Sequence, residues 1–275
     1  MTEITPFELF AIRYASHDRP RSANFINGDP HDGPMPLDYY VWVAKRGEEV
    51  YLVDTGFDAA TAEARGRKLL IPVEEGLACL GIKAGAVRDV IVTHLHYDHI
   101  GNFALFTGAS FHLQEVEMAY ATGKHMRHAR LRHPFEAGHV AGMVHALYQD
   151  RVIFHDGNSH VAPGLSVHLI GGHSRGLQCV RVLTRRGWVV LASDCSHHYE
   201  HFHTMRPFPN VVRIDDMLDG YVRLRELADS PDHIIPGHDP LVLKIYPPAA
   251  EELAGHIVRL DQGPLPVTET EKTNS

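Results

Sequence analysis

A chain of 275 residues with 44% hydrophobic and 22% charged side chains can bury a sizeable core, which excludes fibrous and disordered classes. Its net charge of -8 and the lack of any Lys/Arg block argue against a nucleic-acid partner, whose phosphates demand concentrated positive charge. No apolar run approaches the roughly 20 residues that cross a bilayer and no basic-then-apolar leader opens the sequence, so a cytoplasmic location with no membrane partner is expected.

Phe7 to Tyr14 reads as a strand, and Ala15 to Asp38, rich in Gly, Pro, Asp and Asn, as a long loop of the kind that often carries function. Tyr39 to Lys45 and Glu49 to Asp54 form a hairpin around Arg46-Gly47-Glu48. A helix is expected over Asp58 to Leu70, capped by Asp58, and a short second one after Pro72. Val87 to Thr93 is an apolar strand running into a histidine cluster, and Ser110 to Leu113 is another strand. About 114–150 reads as a partly helical insertion dense in His and Arg. Short strands follow at Val152 to His155, Leu165 to Ile170, Gln178 to Thr184 and Trp188 to Ala192, then a helix over Asp215 to Ala228 and a very short strand at Ile234-Ile235. About 262–275 reads as a frayed tail. With no linker visible, residues 1–275 read as a single domain of the α+β class, with two sheets packed face to face and helices outside.

Cys79, Cys179 and Cys195 are odd in number and far apart, which argues against a disulfide framework or a cysteine zinc site. Histidine is the departure, at 22 residues, so order and spacing must separate ligands from surface residues. Thr93-His94-Leu95-His96-Tyr97-Asp98-His99-Ile100-Gly101 places four potential ligands within six residues after an apolar strand. They cannot all be buried without positive compensation, which a metal provides. Imidazole with carboxylate suits zinc first, and also iron, manganese or cobalt, rather than calcium. His173 after Gly171-Gly172, Asp194 at the end of an apolar strand, and His238 after Pro236-Gly237 each sit where a loop can present them.

Taken in order, HxHxDH, GGH, a strand-ending Asp and PGH resemble the metallo-β-lactamase superfamily from Asp54 onward, with Val53-Asp54-Thr55-Gly56 resembling its early strand and turn. The resemblance implies an αββα sandwich, the metallo-β-lactamase fold of two mixed sheets. It implies that His94, His96 and His173 hold one divalent ion, that Asp98, His99 and His238 hold a second, and that Asp194 bridges them. It also implies that Asp54 supports the metal loop. Such a dinuclear metallohydrolase would attack an ester-like bond with a metal-bridging hydroxide, Asp98 passing a proton to the leaving alkoxide. Ser174 and Ser193, beside ligands, are expected to orient backbone.

Within the superfamily the sequence is most similar to N-acyl homoserine lactonase-like hydrolases, which implies a small lactone substrate and quorum quenching. Asn24-Phe25-Ile26 and Asp29 to Tyr39 resemble the loop that covers the metal site in that group, and Phe25, Ile26, Met35 and Leu37 offer apolar surface for an acyl chain. That group also uses a tyrosine shortly after the bridging aspartate. Here the segment reads Asp194-Cys195-Ser196-His197-His198-Tyr199, so the catalytic role is assigned to Tyr199 with His197 as second choice. His197-His198 and His201-Phe202-His203 read as an irregular rim loop rather than a third metal site, and His125, His128 and His133 as surface residues.

Another lactone such as 4-pyridoxolactone is an alternative, as is a glyoxalase II-like thioesterase, which should carry a basic pocket that no Lys/Arg cluster near the motifs foreshadows. An iron-dependent oxidoreductase or a metal-storage protein are readings from other classes. A homodimer is left open.

Overall fold

The computed structural model describes residues 4–31 and 33–265, so the tail beyond 265 lies outside the described residues. The described residues form thirteen strands: β1 (Glu8–His17), β2 (Leu37–Arg46), β3 (Glu49–Val53), β4 (Lys68–Leu69), β5 (Asp89–Ile91), β6 (Ser110–Gln114), β7 (Val152–His155), β8 (Ser159–Ala162), β9 (Leu165–Leu169), β10 (Gln178–Thr184), β11 (Gly187–Ser193), β12 (Ile234–Pro236) and β13 (Ile257–Arg259). The helices are α1 (Ala59–Ala64), α2 (Val73–Cys79), α3 (Tyr97–Ile100), α4 (Glu115–Ala121), α5 (Ala129–Arg132), α6 (Ala137–Leu147), α7 (Tyr199–Thr204), α8 (Ile214–Leu227) and α9 (Leu241–Ile245).

One mixed sheet runs β13-β1-β2-β3-β5-β6-β7, with β4 added to β1, and the other runs β12-β11-β10-β9-β8. Alternation along each strand sorts the side chains into layers. Leu9, Ala11, Tyr40, Trp42 and Ala44 face Val180, Val182, Val189 and Leu191 across the centre. From the same strands, Phe10, Ile12, Val41 and Val43 face outward, beneath Leu77 of α2, Met118 of α4 and Met143 of α6. Behind the second sheet, Cys179, Val190 and Ala192 pack on Met217, Tyr221 and Leu224 of α8 and on Phe202 of α7. Helix, sheet, sheet, helix is the expected αββα sandwich.

Strand directions position the site. β3 and β5 are parallel, β11 and β12 are parallel, and β9 and β11 both run against β10. Chain ends leaving β3, β5, β9, β11 and β12 therefore emerge along one edge, and the Gln178 amide donates to the Thr93 carbonyl across the sheets at 3.0 Å.

Several expectations change in detail. The first helix stops at Ala64 because Gly66 takes a left-handed φ of 62° and the chain then adds β4 to β1; the Asp58 cap is present, accepting from the Thr61 amide at 2.8 Å. The loop expected over Ala15 to Asp38 starts later, since β1 continues to His17 and pairs with β2 and β4. The segment 114–150 is the helical crossover between the parallel strands β6 and β7. The stretch read as a rim loop contains α7, with His201 and Phe202 buried. Among the described residues, no helix is long and apolar enough to cross a membrane.

Burial holds the pKa of His155 and His168 down to about 4 and that of His201 to about 3. The folded chain then binds fewer protons than the unfolded one below the ordinary histidine value of about 6.5, so this stability is present above that pH and is lost on acidification. Urea midpoints are expected to fall between about pH 6.5 and about pH 4, and a His155→Gln/His168→Gln double variant should show a shallower fall over that window.

Candidate metal centre

Seven side chains from four loops meet at the shared edge. Three imidazoles form one group: Nδ1 of His96 lies 2.9 Å from Nε2 of His94 and 2.8 Å from Nε2 of His173. Asp98, His99 and His238 form another, Asp98 Oδ2 lying 3.6 Å from His99 Nε2 and 3.8 Å from His238 Nε2. Asp194 stands between them. Its Oδ1 is 2.9 Å from His238 Nε2 and 3.3 Å from His99 Nε2, while its Oδ2 is 3.1 Å from His173 Nε2 and 3.9 Å from His94 Nε2. Each set of three, and the set His173, Asp194 and His197, is close enough to share one ion.

These residues fit divalent cations. Burial, then the neighbouring imidazoles, hold the pKa of His94 and of His96 well below the ordinary histidine value, leaving neutral rings with free lone pairs pointing at one another. The other half calls for positive charge. Burial works against protonation of His99, yet Asp98, Asp194 and Asp54 outweigh it and raise its pKa well above the usual value, and the buried His99 Nε2 has no hydrogen-bond partner. Burial alone would raise the Asp194 carboxyl, but His238, His99, His197 and His173 hold it well below the carboxylate range.

Groups behind the ligands fix their orientation, as metal sites require. Asp54, with a left-handed φ of 63°, accepts from the Thr93 amide at 2.7 Å and from its hydroxyl at 2.8 Å, and lies 2.7 Å from His99 Nδ1. His173 Nδ1 and His238 Nδ1 donate to the carbonyls of Asn210 at 2.5 Å and Asp38 at 2.8 Å. The Ser193 hydroxyl meets that of Thr93 at 2.9 Å.

Glu117 was missed in the sequence. Fully buried in α4, it accepts from the Leu95 amide at 3.0 Å, the Gly176 amide at 2.8 Å and the Ser174 hydroxyl at 2.6 Å, tying the HxHxDH loop to the His173 loop. Gly176 permits this approach, since a Cβ there would lie 2.4 Å from the Glu117 amide nitrogen. A glutamate in a first helical turn gives no signal of such a role, because that position is ordinarily solvated.

The metal ligands open into a cleft of about 110 Å³ lined by His96, Asp98, His173, Asp194, His197 and His238 together with Leu37, Tyr39, Tyr97 and Pro134. Of the four expected substrate contacts, only Leu37 lines it. Phe25 is buried beneath the Arg206 guanidinium, 4.1 Å from its ring centre, and against His201; the Ile26 amide donates to the Pro207 carbonyl; Met35 lies beside Arg21. These three fasten the loop to the α7 region because Asn24, Arg21 and Arg206 turn it inward there.

Tyr199 also stays out of the cleft. Starting α7, it points its ring at Phe202 and His203 and buries its hydroxyl near Tyr246. His197 lines the cleft instead, its Nε2 3.1 Å from Asp194 Oδ2 and its ring stacked on Phe208 at 3.5 Å. His198 and His201 bond the carbonyls of Pro36 and Asn24 at 3.2 and 2.9 Å rather than an ion. His133 is exposed as expected, but on the cleft wall. The absence of a basic cluster is overturned: Arg19, Arg65 and Arg67, far from the motifs in sequence, all line the cleft.

The fold and this ligand set define a metal-dependent hydrolase centre. The family model of the metallo-beta-lactamase superfamily matches residues 35–238, and the chain belongs to that superfamily. It is 29% identical over 223 residues to an N-acyl homoserine lactonase of Bacillus thuringiensis, covering 74% of this chain and 82% of the relative. It is 25% identical over 245 residues to a probable metallo-hydrolase of Mycobacterium tuberculosis, covering 78% and 76%. Among solved structures, a quorum-quenching N-acyl homoserine lactone lactonase superposes with a TM-score of 0.72 at 22% identity over 86% of this chain and 94% of that one. An N-acyl homoserine lactone hydrolase with N-hexanoyl-L-homoserine at its catalytic metal centre gives 0.71 at 22% identity over 88% and 96%. At these identities the superpositions speak for the fold.

Glu117→Ala should leave two buried amides and a hydroxyl without an acceptor, costing about 3 kcal/mol or more of stability. Chemical denaturation should show that loss, and elemental analysis a lower metal content, because both ligand loops lose their common anchor.

Proposed function

We propose that this protein opens a small-molecule lactone, of the N-acyl homoserine lactone kind, at a dinuclear centre holding two divalent ions, with zinc the first candidate. The observation that carries the reading is the Asp194 carboxylate, whose two oxygens face separate sets of imidazoles. The lactonase relative and the product-bound lactone hydrolase support the substrate class. Divalent cations at such a centre polarise a carbonyl and lower the pKa of water.

The chain's own residues do the rest. His94, His96 and His173 would hold one ion and Asp98, His99 and His238 the other, with Asp194 shared. Asp98 lines the cleft, where its carboxylate can take up a proton and return it to the leaving alkoxide. His197 takes the substrate-facing role first given to Tyr199. Burial keeps it neutral despite Asp194 beside it, and the stack on Phe208 fixes its plane. Tyr39 and Tyr97, whose hydroxyls lie 3.4 Å apart, also line the cleft. A thioester bearing an anionic thiol portion is the second reading, favoured by the arginines on the cleft wall.

A hydrolysis screen of lactones against thioesters, with metal analysis on the same sample, tests the assignment. Asp194→Ala or His173→Ala should abolish hydrolysis and lower metal content; full activity in a metal-free preparation would sink the reading. His197→Ala should reduce kcat by about tenfold to a hundredfold with metals retained, the lower range for a positioned proton donor or acceptor. Tyr199→Phe should change it by less than about twofold, as expected of a group outside the reacting geometry.

A further inference from the structure

Two arginines on the cleft wall form no ion pair among the described residues. Arg19 follows β1 and Arg67 precedes β4, so the pairing of β4 with β1 brings together side chains 48 positions apart in the sequence. Both are half-buried, and both line the cleft that holds Asp98, Asp194 and His238. Neither has a carboxylate within ion-pair distance among the described residues. Arg19 donates to the Ala23 carbonyl, and Arg67 donates to the Tyr97 hydroxyl at 3.0 Å and the Arg65 carbonyl at 2.7 Å. Arg65 differs, being paired with Glu136.

Partly desolvated guanidinium groups without a counter-charge are costly unless a ligand supplies one. Burial, with Arg67 adding to it, lowers the pKa of Arg19; burial also works against Arg67, but Tyr39, Tyr97 and Asp98 outweigh it and raise its pKa. Asp98 acts on Arg67 only from beyond ion-pair distance, and both Asp98 and Asp194 belong to the proposed metal ligand set. The same two arginines also line an adjoining outer cavity of about 830 Å³, together with His17, Asp18, Arg130 and His133. Three arginines and one carboxylate therefore border the way from the surface to the cleft.

We propose that the substrate carries an oxyanion group, a carboxylate or a phosphate, remote from the bond that is opened, and that Arg19 and Arg67 bind it. This rests on the hydrolase reading and narrows its substrate class from neutral acyl lactones to anionic ones. Arginine suits the task because its planar donors engage both oxygens of such a group. The arginines are positioning and specificity residues; they take no part in bond cleavage.

The test uses the full-length, metal-replete protein and three homoserine lactones of matched acyl length, ending in a methyl, a carboxylate or a phosphate. One of the anionic lactones should exceed the methyl-ended one in kcat/KM by about tenfold or more, chiefly through KM, the scale of one charge-assisted hydrogen bond. That preference should shrink from about 50 to about 500 mM salt as the charges are screened. Which anion leads distinguishes carboxylate from phosphate. Arg19→Gln and Arg67→Gln should each cut the anionic-to-neutral ratio by about tenfold, with partial recovery in Arg19→Lys and Arg67→Lys, where charge remains without the paired donors. A merely structural role would lower all three substrates together and leave the ratio and its salt dependence unmoved.

Equal or better hydrolysis of the methyl-ended lactone, or a ratio unchanged in both glutamine variants, would overturn the proposal while leaving the lactonase reading intact. If no lactone is hydrolysed, that reading fails, and calorimetric titration with hexanedioate decides the anion site separately. Binding weakened in the glutamine variants supports it; no binding, or binding indifferent to them, overturns it. Should a glutamine variant fail to fold, the wild-type preference and its salt dependence decide.

Discussion

Everything at the working edge of this molecule follows from the electrostatics of buried, converging ligands. Five imidazoles and two carboxylates, none more than 8% exposed, converge at the head of one cleft, an arrangement that a chain without cations would have to resist. The two halves answer that problem differently. In the three-histidine group, burial strips protons and leaves lone pairs. In the other, burial works against protonation of His99 and His238, but the neighbouring carboxylates outweigh it and raise the pKa of both. Both conditions are relieved by the same remedy, a positive ion in each half, and Asp194 is the group that makes the two halves one centre.

Rigidity for this arrangement comes from the backbone that feeds it. Asp54 and Ser193, at the ends of β3 and β11, adopt left-handed conformations that cost non-glycine residues energy, and both spend their side chains on Thr93. Gly172, with φ of 81°, lets the His173 loop run where a Cβ would lie 2.8 Å from the Met217 amide nitrogen of α8. The ligand loops are thus braced from both sheets and from the helical layer, and Glu117 supplies a brace from the crossover between β6 and β7.

The convergence of the seven side chains was readable in the sequence because each segment is punctuated by a strand end or a glycine turn, which a loop that presents ligands needs locally. The sandwich was readable for a related reason: a β-prone run such as Tyr39 to Lys45, apolar at successive positions, must be covered on both faces, by a second sheet on one side and helices on the other. Glu117, Arg19 and Arg67 were not readable, because their meaning is set by partners 22 or more positions away and their local context is that of solvated residues. Tyr199 misled by composition. A tyrosine near the bridging aspartate fits a substrate contact, but α7 begins at that residue and turns its ring toward Phe202 and His203, and the position closer to Asp194 holds an imidazole.

The His198 and His201 contacts to the carbonyls of Pro36 and Asn24 have a consequence for how the doorway of this enzyme can vary. Two ring nitrogens hold the loop at Asn24 and Pro36, and the Phe25 ring against Arg21 and Arg206 adds a third fastening near one end, like bolts that seat a lintel in its frame. Because Phe25, Ile26 and Met35 keep clear of the cleft, a change at any of them bears on how firmly this loop is seated and leaves the converging histidines and carboxylates untouched.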